Sequence, residues 1–102
     1  MNTNLIKVIK NGKWTFIENT LEAFQEAVGG FIETITIFEG SVMVVDEEGV
    51  LKGKKPSCTL LNYPIVGDWL LVGAQDSDFT DLKEKDWKTM RGLGVIKPAK
   101  AV

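Results

Sequence analysis

The side chains able to do chemistry in this sequence fall into three groups. The first is a lysine-rich loop, Lys52-Gly53-Lys54-Lys55-Pro56, in which three ammonium groups stand close to two glycines, Gly49 and Gly53. Glycine lets backbone approach an anion and lysine supplies charge, so the segment suits a phosphate, although it lacks the G-x-x-x-x-G-K-[ST] order of a P-loop. The second group is carboxylates, Glu33, Asp46 and Asp68. The chain has no histidine, so the hydrolysis open to it is a phosphoesterase reaction on carboxylate-held Mg²⁺. The third group is aromatic: Trp14, Phe16, Tyr63 and Trp69 suit either a wall for a flat ligand or a core.

Each group has a plainer use. If Ile35 and Ile37 face the core, period-two alternation puts Glu33 on the same side, where it needs a partner such as Lys7 or Lys13, or exposure at the strand end. Asp68 shares a face with Val66, Leu70 and Val72, unless Gly67-Asp68 is a bulge or turn that starts a strand. Asp46-Glu47-Glu48 is a poor metal site, because consecutive residues of a strand-turn cannot all face one ion. No metal or cofactor is therefore assigned. Cys58 has no histidine to activate it and reads as an ordinary thiol.

These groups must be held by an α+β fold. Asn4 to Ile9 and Lys13 to Glu18 are β-rich runs around Asn11-Gly12, the preferred centre of a two-residue hairpin turn. That turn sets Ile9 opposite Trp14 and Lys7 opposite Phe16, with Ile6, Val8 and Ile17 on the other side. Asn19-Thr20-Leu21-Glu22 reads as a capping box with Asn19 as N-cap. It starts a helix over residues 20 to 28, with Leu21, Phe24, Ala27 and Val28 on one face and Gly29-Gly30 as its stop. Phe31 to Phe38, a Glu39-Gly40 turn, Val42 to Val45 and an acidic turn into Val50-Leu51 suggest a β-meander under that helix. Residues 52 to 64 read as a loop or irregular edge, and Ile65 to Val72 as the last strand. Thr80 or Asp78 can cap a second helix from about Asp81 to Arg91, whose apolar face is mixed. The expected architecture is a mainly antiparallel sheet, an N-terminal hairpin plus meander, with one helix packed on it and a second C-terminal helix. Residues 1–91 form the single domain and 92–102 a tail or arm.

At 102 residues there is room for one fold, and a single cysteine excludes an internal disulfide. No apolar run is long enough to span a bilayer and the start does not read as a signal peptide, so the expected compartment is the cytoplasm. The net charge of −2 hides a segregation. Between Trp14 and Leu51 there is no Lys or Arg, while Glu18, Glu22, Glu26, Glu33, Glu39, Asp46, Glu47 and Glu48 are all acidic. Direct nucleic-acid binding is not expected of a chain without a continuous basic face. Glu18, Glu22 and Glu26 recur every four residues, a spacing that makes either a solvated face or a surface for a basic partner.

The string E-N-T-L-E-A-F-Q-E-A-V-G-G-F-I-E is followed by V-V-D-E-E-G, the lysine-rich loop, I-V-G-D-W-L-L-V-G and D-F-T-D-L. In that order the blocks resemble an uncharacterised domain family of small proteins from phages, conjugative elements and Firmicutes genomes. The resemblance spans about residues 4 to 82. Members often carry a Leu-Pro-x-Asn-like segment after the acidic turn; Lys55-Pro56-Ser57-Cys58 departs from it, with Asn62 nearby. The resemblance implies a mobile-element accessory protein and no particular activity.

The expected function is non-enzymatic: capture of a small anionic, nucleotide-like signalling ligand, with a role against host defence. Lys52, Lys54 and Lys55 would hold phosphate, Trp14 or Tyr63 would stack, and Glu33 or Asp68 would orient the ligand by hydrogen bonds. Capture predicts a homo-oligomer, because one small domain offers little concave surface and symmetric interfaces supply it. The alternatives are an inhibitor that meets a host protein through Glu18, Glu22 and Glu26, and the Mg²⁺ phosphoesterase using Glu33, Asp46 and Asp68.

Overall fold

The structure, a computed structural model, describes residues 4–99. Strands β1 (Leu5–Lys10) and β2 (Lys13–Glu18) form the expected hairpin, with Lys10 opposite Lys13, Ile9 opposite Trp14 and Lys7 opposite Phe16. Asn11 and Gly12 adopt φ of 51° and 91°, the left-handed pair that this turn requires and that asparagine and glycine tolerate best. Helix α1 (Leu21–Val28) follows, then β3 (Ile32–Phe38) and β4 (Ser41–Asp46), which pair antiparallel.

The N-cap of α1 is Thr20, not Asn19: the Thr20 hydroxyl accepts the Ala23 N–H at 3.1 Å. Asn19 is used elsewhere, its amide donating to the Phe79 carbonyl at 2.8 Å. Both residue types cap well, and the choice between them falls to a tertiary contact the local motif does not contain. Phe24 and Val28 carry the burial of α1, while Leu21 is exposed.

Residues 52 to 64 depart most from expectation. They contain β5 (Pro56–Leu60), and with β6 (Tyr63–Val66) they make a third hairpin. Pro56 and Pro64 suggest a loop, yet Pro56 is the first residue of β5, beyond its ladder with β9, and Pro64 lies on β6, the outer strand of its sheet, where a missing N–H costs no ladder bond. The single strand expected over Ile65 to Val72 is broken at Gly67, whose φ is 73°, so the chain turns there and resumes as β7 (Leu70–Gln75). Strand β8 (Asp78–Thr80) leads to α2 (Glu84–Gly92), which starts later than expected and without a side-chain cap. Asp81 accepts the Lys7 N–H at 2.7 Å instead. After α2, β9 (Ile96–Pro98) pairs with β5; the end of the expected tail lies outside the described residues.

The result is an α+β fold of two antiparallel sheets and two helices. The larger sheet has the order β2-β1-β7-β4-β3, with β8 beside the second half of β7; the smaller has the order β6-β5-β9. Strand β7 inserts between the two hairpins and is covered on both faces, as is β4, which explains their unbroken apolar runs. One face packs Ile6, Val8, Val42, Val44, Leu70 and Val72 on Phe24 and Val28 of α1. The other packs Ile9, Met43, Val45 and Leu71 on the small sheet and on Trp87 and Met90 of α2. No helix among the described residues is long and apolar enough to cross a membrane.

The cap assignment is testable by thermal and denaturant unfolding. Thr20→Ala removes the acceptor for the Ala23 N–H and is expected to cost about 1 kcal/mol, whereas Thr20→Asn, which keeps an acceptor, stays within about 0.5 kcal/mol of the parent.

Candidate ligand-binding site

The loop lysines point inward. Strand β4 ends at Asp46, whose side chain is 1% exposed, and its Oδ2 receives Lys52 Nζ and Lys54 Nζ, each at 2.8 Å. Asp46 Oδ1 accepts the Glu48 N–H at 2.9 Å. Each ammonium also donates to the end of α1, Lys52 to the Gly29 carbonyl at 3.1 Å and Lys54 to the Val28 carbonyl at 2.7 Å. Helix α1 has no basic residue in its own last turn, so these two lysines supply the positive charge its C-terminal carbonyls favour. The Lys52 and Lys54 bonds, followed by the Glu48 N–H, hold the Asp46 carboxyl far below its ordinary value of 3.8.

Glycines make this packing feasible. A Cβ on Gly30 would stand 2.5 Å from Lys52 Nζ and 2.6 Å from Asp46 Oδ1, and one on Gly67 would stand 2.5 Å from Lys54 Cδ. Gly67 is thereby tied to the lysine loop, and its N–H donates to the Lys55 carbonyl at 2.9 Å while its own carbonyl accepts the Ser57 hydroxyl.

Beyond Gly67 the chain enters a cleft of about 450 Å³ between the two sheets and α2. Asn11 braces this side: its Nδ2 donates to Asp68 Oδ1 at 2.9 Å and its Oδ1 accepts the Trp69 N–H at 3.0 Å. Trp69 and Trp87 form apolar wall, and Cys58, Ile96, Arg91 and Lys97 lie around it. The Arg91 guanidinium lies over the Trp87 ring at 5.5 Å from its centroid. Neither Arg91 nor Lys97 forms an ion pair among the described residues, although both share the cleft with Asp68. Burial pushes the Cys58 thiol up to about 11, so it is protonated at neutral pH and contributes apolar surface, not a thiolate.

Of the residues singled out in the sequence, Asp68, Trp69 and Cys58 line this cleft. Lys52 and Lys54 are engaged with Asp46, and Lys55 is exposed beside them. Trp14 is half-buried on β2 with Lys7 Nζ 4.8 Å from its ring centroid, and Tyr63 is exposed on β6. Glu33 is exposed at the start of β3, opposite Val45. Glu18, Glu22 and Glu26 are all exposed, the first on β2 and the others on α1. Glu33, Asp46 and Asp68 do not assemble into a metal site, and no group of three or more potential ligands does so among the described residues. Sequence reasoning missed Arg91, Lys97 and Trp87; the available signal was Trp87 and Arg91 four apart on a helix, a spacing that brings side chains into contact.

This is a small two-sheet α+β domain with a mixed aromatic and cationic cleft between its sheets. The chain belongs to the family described as a domain of unknown function (DUF3846), whose model matches residues 3–93. That span runs from β1 through α2 and leaves β9, with Lys97, beyond it. No curated protein and no solved structure matches the chain.

The Asp46 centre has a pH signature. A carboxyl depressed in the native state contributes stability that is complete above the unfolded value, 3.8, and is lost as pH falls below it. Asp46→Asn is therefore expected to lower the unfolding midpoint at neutral pH by about 5 °C or more. The variant should also lose less further stability than the parent between about pH 5 and pH 2. Thermal melts of both proteins across that range read the difference.

Proposed function

We propose that this domain binds a small anionic, nucleotide-like ligand in the cleft between its sheets and acts by holding it, not by converting it. The observation that carries the reading is the pair of cations, Arg91 and Lys97, which form no ion pair among the described residues and line the cleft with Trp69, Trp87 and Asp68. A guanidinium recognises phosphate or carboxylate with two parallel hydrogen bonds, an indole wall favours a flat group, and Asp68 accepts from a donor on the ligand. Capture without turnover is favoured by the lining itself. Asp68 is its one carboxylate and Cys58 is held as a thiol, which leaves no acid–base pair to move protons.

Binding is thus attributed to α2 and β9 rather than to the Lys52–Lys55 loop, with Asp68 and Trp69 of the residues singled out in the sequence on the facing wall. In the setting of a phage or other mobile element, a domain of this kind would act as an accessory protein that withdraws a signalling nucleotide from the host and so blunts a defence response.

Native mass spectrometry and calorimetry with a panel of mono-, di- and cyclic nucleotides test the reading. Intact nucleotide retained in proportion to protein is expected, and Arg91→Ala and Lys97→Ala should each weaken binding about tenfold. Lys55→Glu should change it less than about twofold, since it does not line the cleft. Nucleotide converted in excess of protein, or binding abolished by Lys55→Glu and untouched by Arg91→Ala, would overturn the proposal.

A further inference from the structure

The larger sheet ends in two strands, β2 and β3, whose outer sides lack a neighbouring strand among the described residues. In an antiparallel pair, residues alternate between aiming their N–H and C=O at the partner and away from it. The Glu47 N–H donates to the Phe31 carbonyl at 3.0 Å, which sets Phe31, Glu33 and Ile35 toward β4 and leaves Ile32, Thr34 and Thr36 aimed outward. No backbone partner meets those three among the described residues. Open edges are ordinarily blunted by lysine, proline or a covering segment. Ile32–Phe38 contains neither residue, Thr34 and Thr36 are exposed, and the bulge between Thr36 and Phe38 leaves the stretch before it regular.

We infer that the β3 edge is a self-pairing interface, and that its occupant is a second copy of this chain joined antiparallel about Thr34. That register places Thr34 opposite Thr34, Ile32 opposite Thr36, Glu33 opposite Ile35 and Phe31 opposite Ile37. It opposes no like charges. Phe31, 63% exposed in the single chain, gains a partner in the half-buried Ile37 of the second copy. Continuing past the strand, it carries the exposed Glu39 toward the Gly29 end of the second copy, where Lys52 and Lys54 sit. The β2 edge is the poorer choice, because Glu18, Glu22 and Glu26 of two copies would be brought together there.

Size-exclusion chromatography with light scattering, and native mass spectrometry at about 0.1 mM chain, read the mass. A dimer is expected. Thr34→Pro removes an outward N–H that the β4 ladder does not use, and it should raise the dimer dissociation constant at least tenfold with the far-ultraviolet circular dichroism unchanged. If that variant fails to fold, Thr34→Lys and Glu39→Lys serve the same purpose by charge. Hydrogen exchange gives a readout without mutation: the amides of Ile32, Thr34 and Thr36 should become protected as concentration rises, and those of Trp14, Phe16 and Glu18 on β2 should not. A monomer at this concentration, a dimer insensitive to all these variants, or protection at β2 instead of β3 would overturn the inference.

Discussion

The fold turns on the Asp46 carboxylate. A buried carboxylate without partners is too costly to persist, and this one is held by two ammonium groups and a backbone N–H. Each ammonium has a second task, closing a carbonyl at the end of α1. Four separate pieces of chain, the helix end, the β4 end, the lysine loop and the Gly67 turn, are thereby held in one arrangement. Gly30 and Gly67 are small because the lysine and aspartate side chains occupy the space a Cβ would take.

The same arrangement reaches the cleft through a short path. Lys54 packs on Gly67, and Gly67 is tied by hydrogen bonds to Lys55 and Ser57. The next two residues, Asp68 and Trp69, are then fixed from the other side by Asn11, whose position comes from the tight β1–β2 turn. One wall of the cleft is accordingly rigid, built from backbone turns and buried pairs. The opposite wall is α2 with β9, and here the charged groups are at the surface, with Arg91 resting on Trp87 and Lys97 on an outer strand.

What could be read in the sequence follows the range of the forces involved. The β1–β2 hairpin with its register, the α1 span and the β3–β4 pair are local, set by turn chemistry and by periodicity within about ten residues, and they are as the sequence suggests. The family is also as its blocks imply, over residues 3–93. Strand β5 was hidden because Pro56 and Pro64 signal a loop unless one knows that β6 is an outer strand. The N-cap of α1 moved by one residue because Asn19 is claimed by Phe79, sixty positions away in the chain. The ligand cleft was the least legible part. It is assembled from a hairpin turn, a glycine break, a helix with a mixed face and a segment expected as a tail, and none of these carries a motif of its own.

The lysine loop shows why charge read along a chain can mislead about charge in space. The stretch from Trp14 to Leu51 is acidic without relief, and the lysines after it look like free cations awaiting an anion. In the fold, Lys52 and Lys54 return to neutralise the one acid of that stretch that is buried. A phosphate arriving at the loop would compete with Asp46 for both ammoniums, and any success would strip a buried carboxylate of its partners and open the end of α1. Among the described residues Arg91 and Lys97 form no ion pair that such an anion would have to break. An anion bound at the cleft, as proposed, would therefore leave intact the interaction that holds the cleft in place, and this asymmetry favours α2 and β9 over the more conspicuous loop.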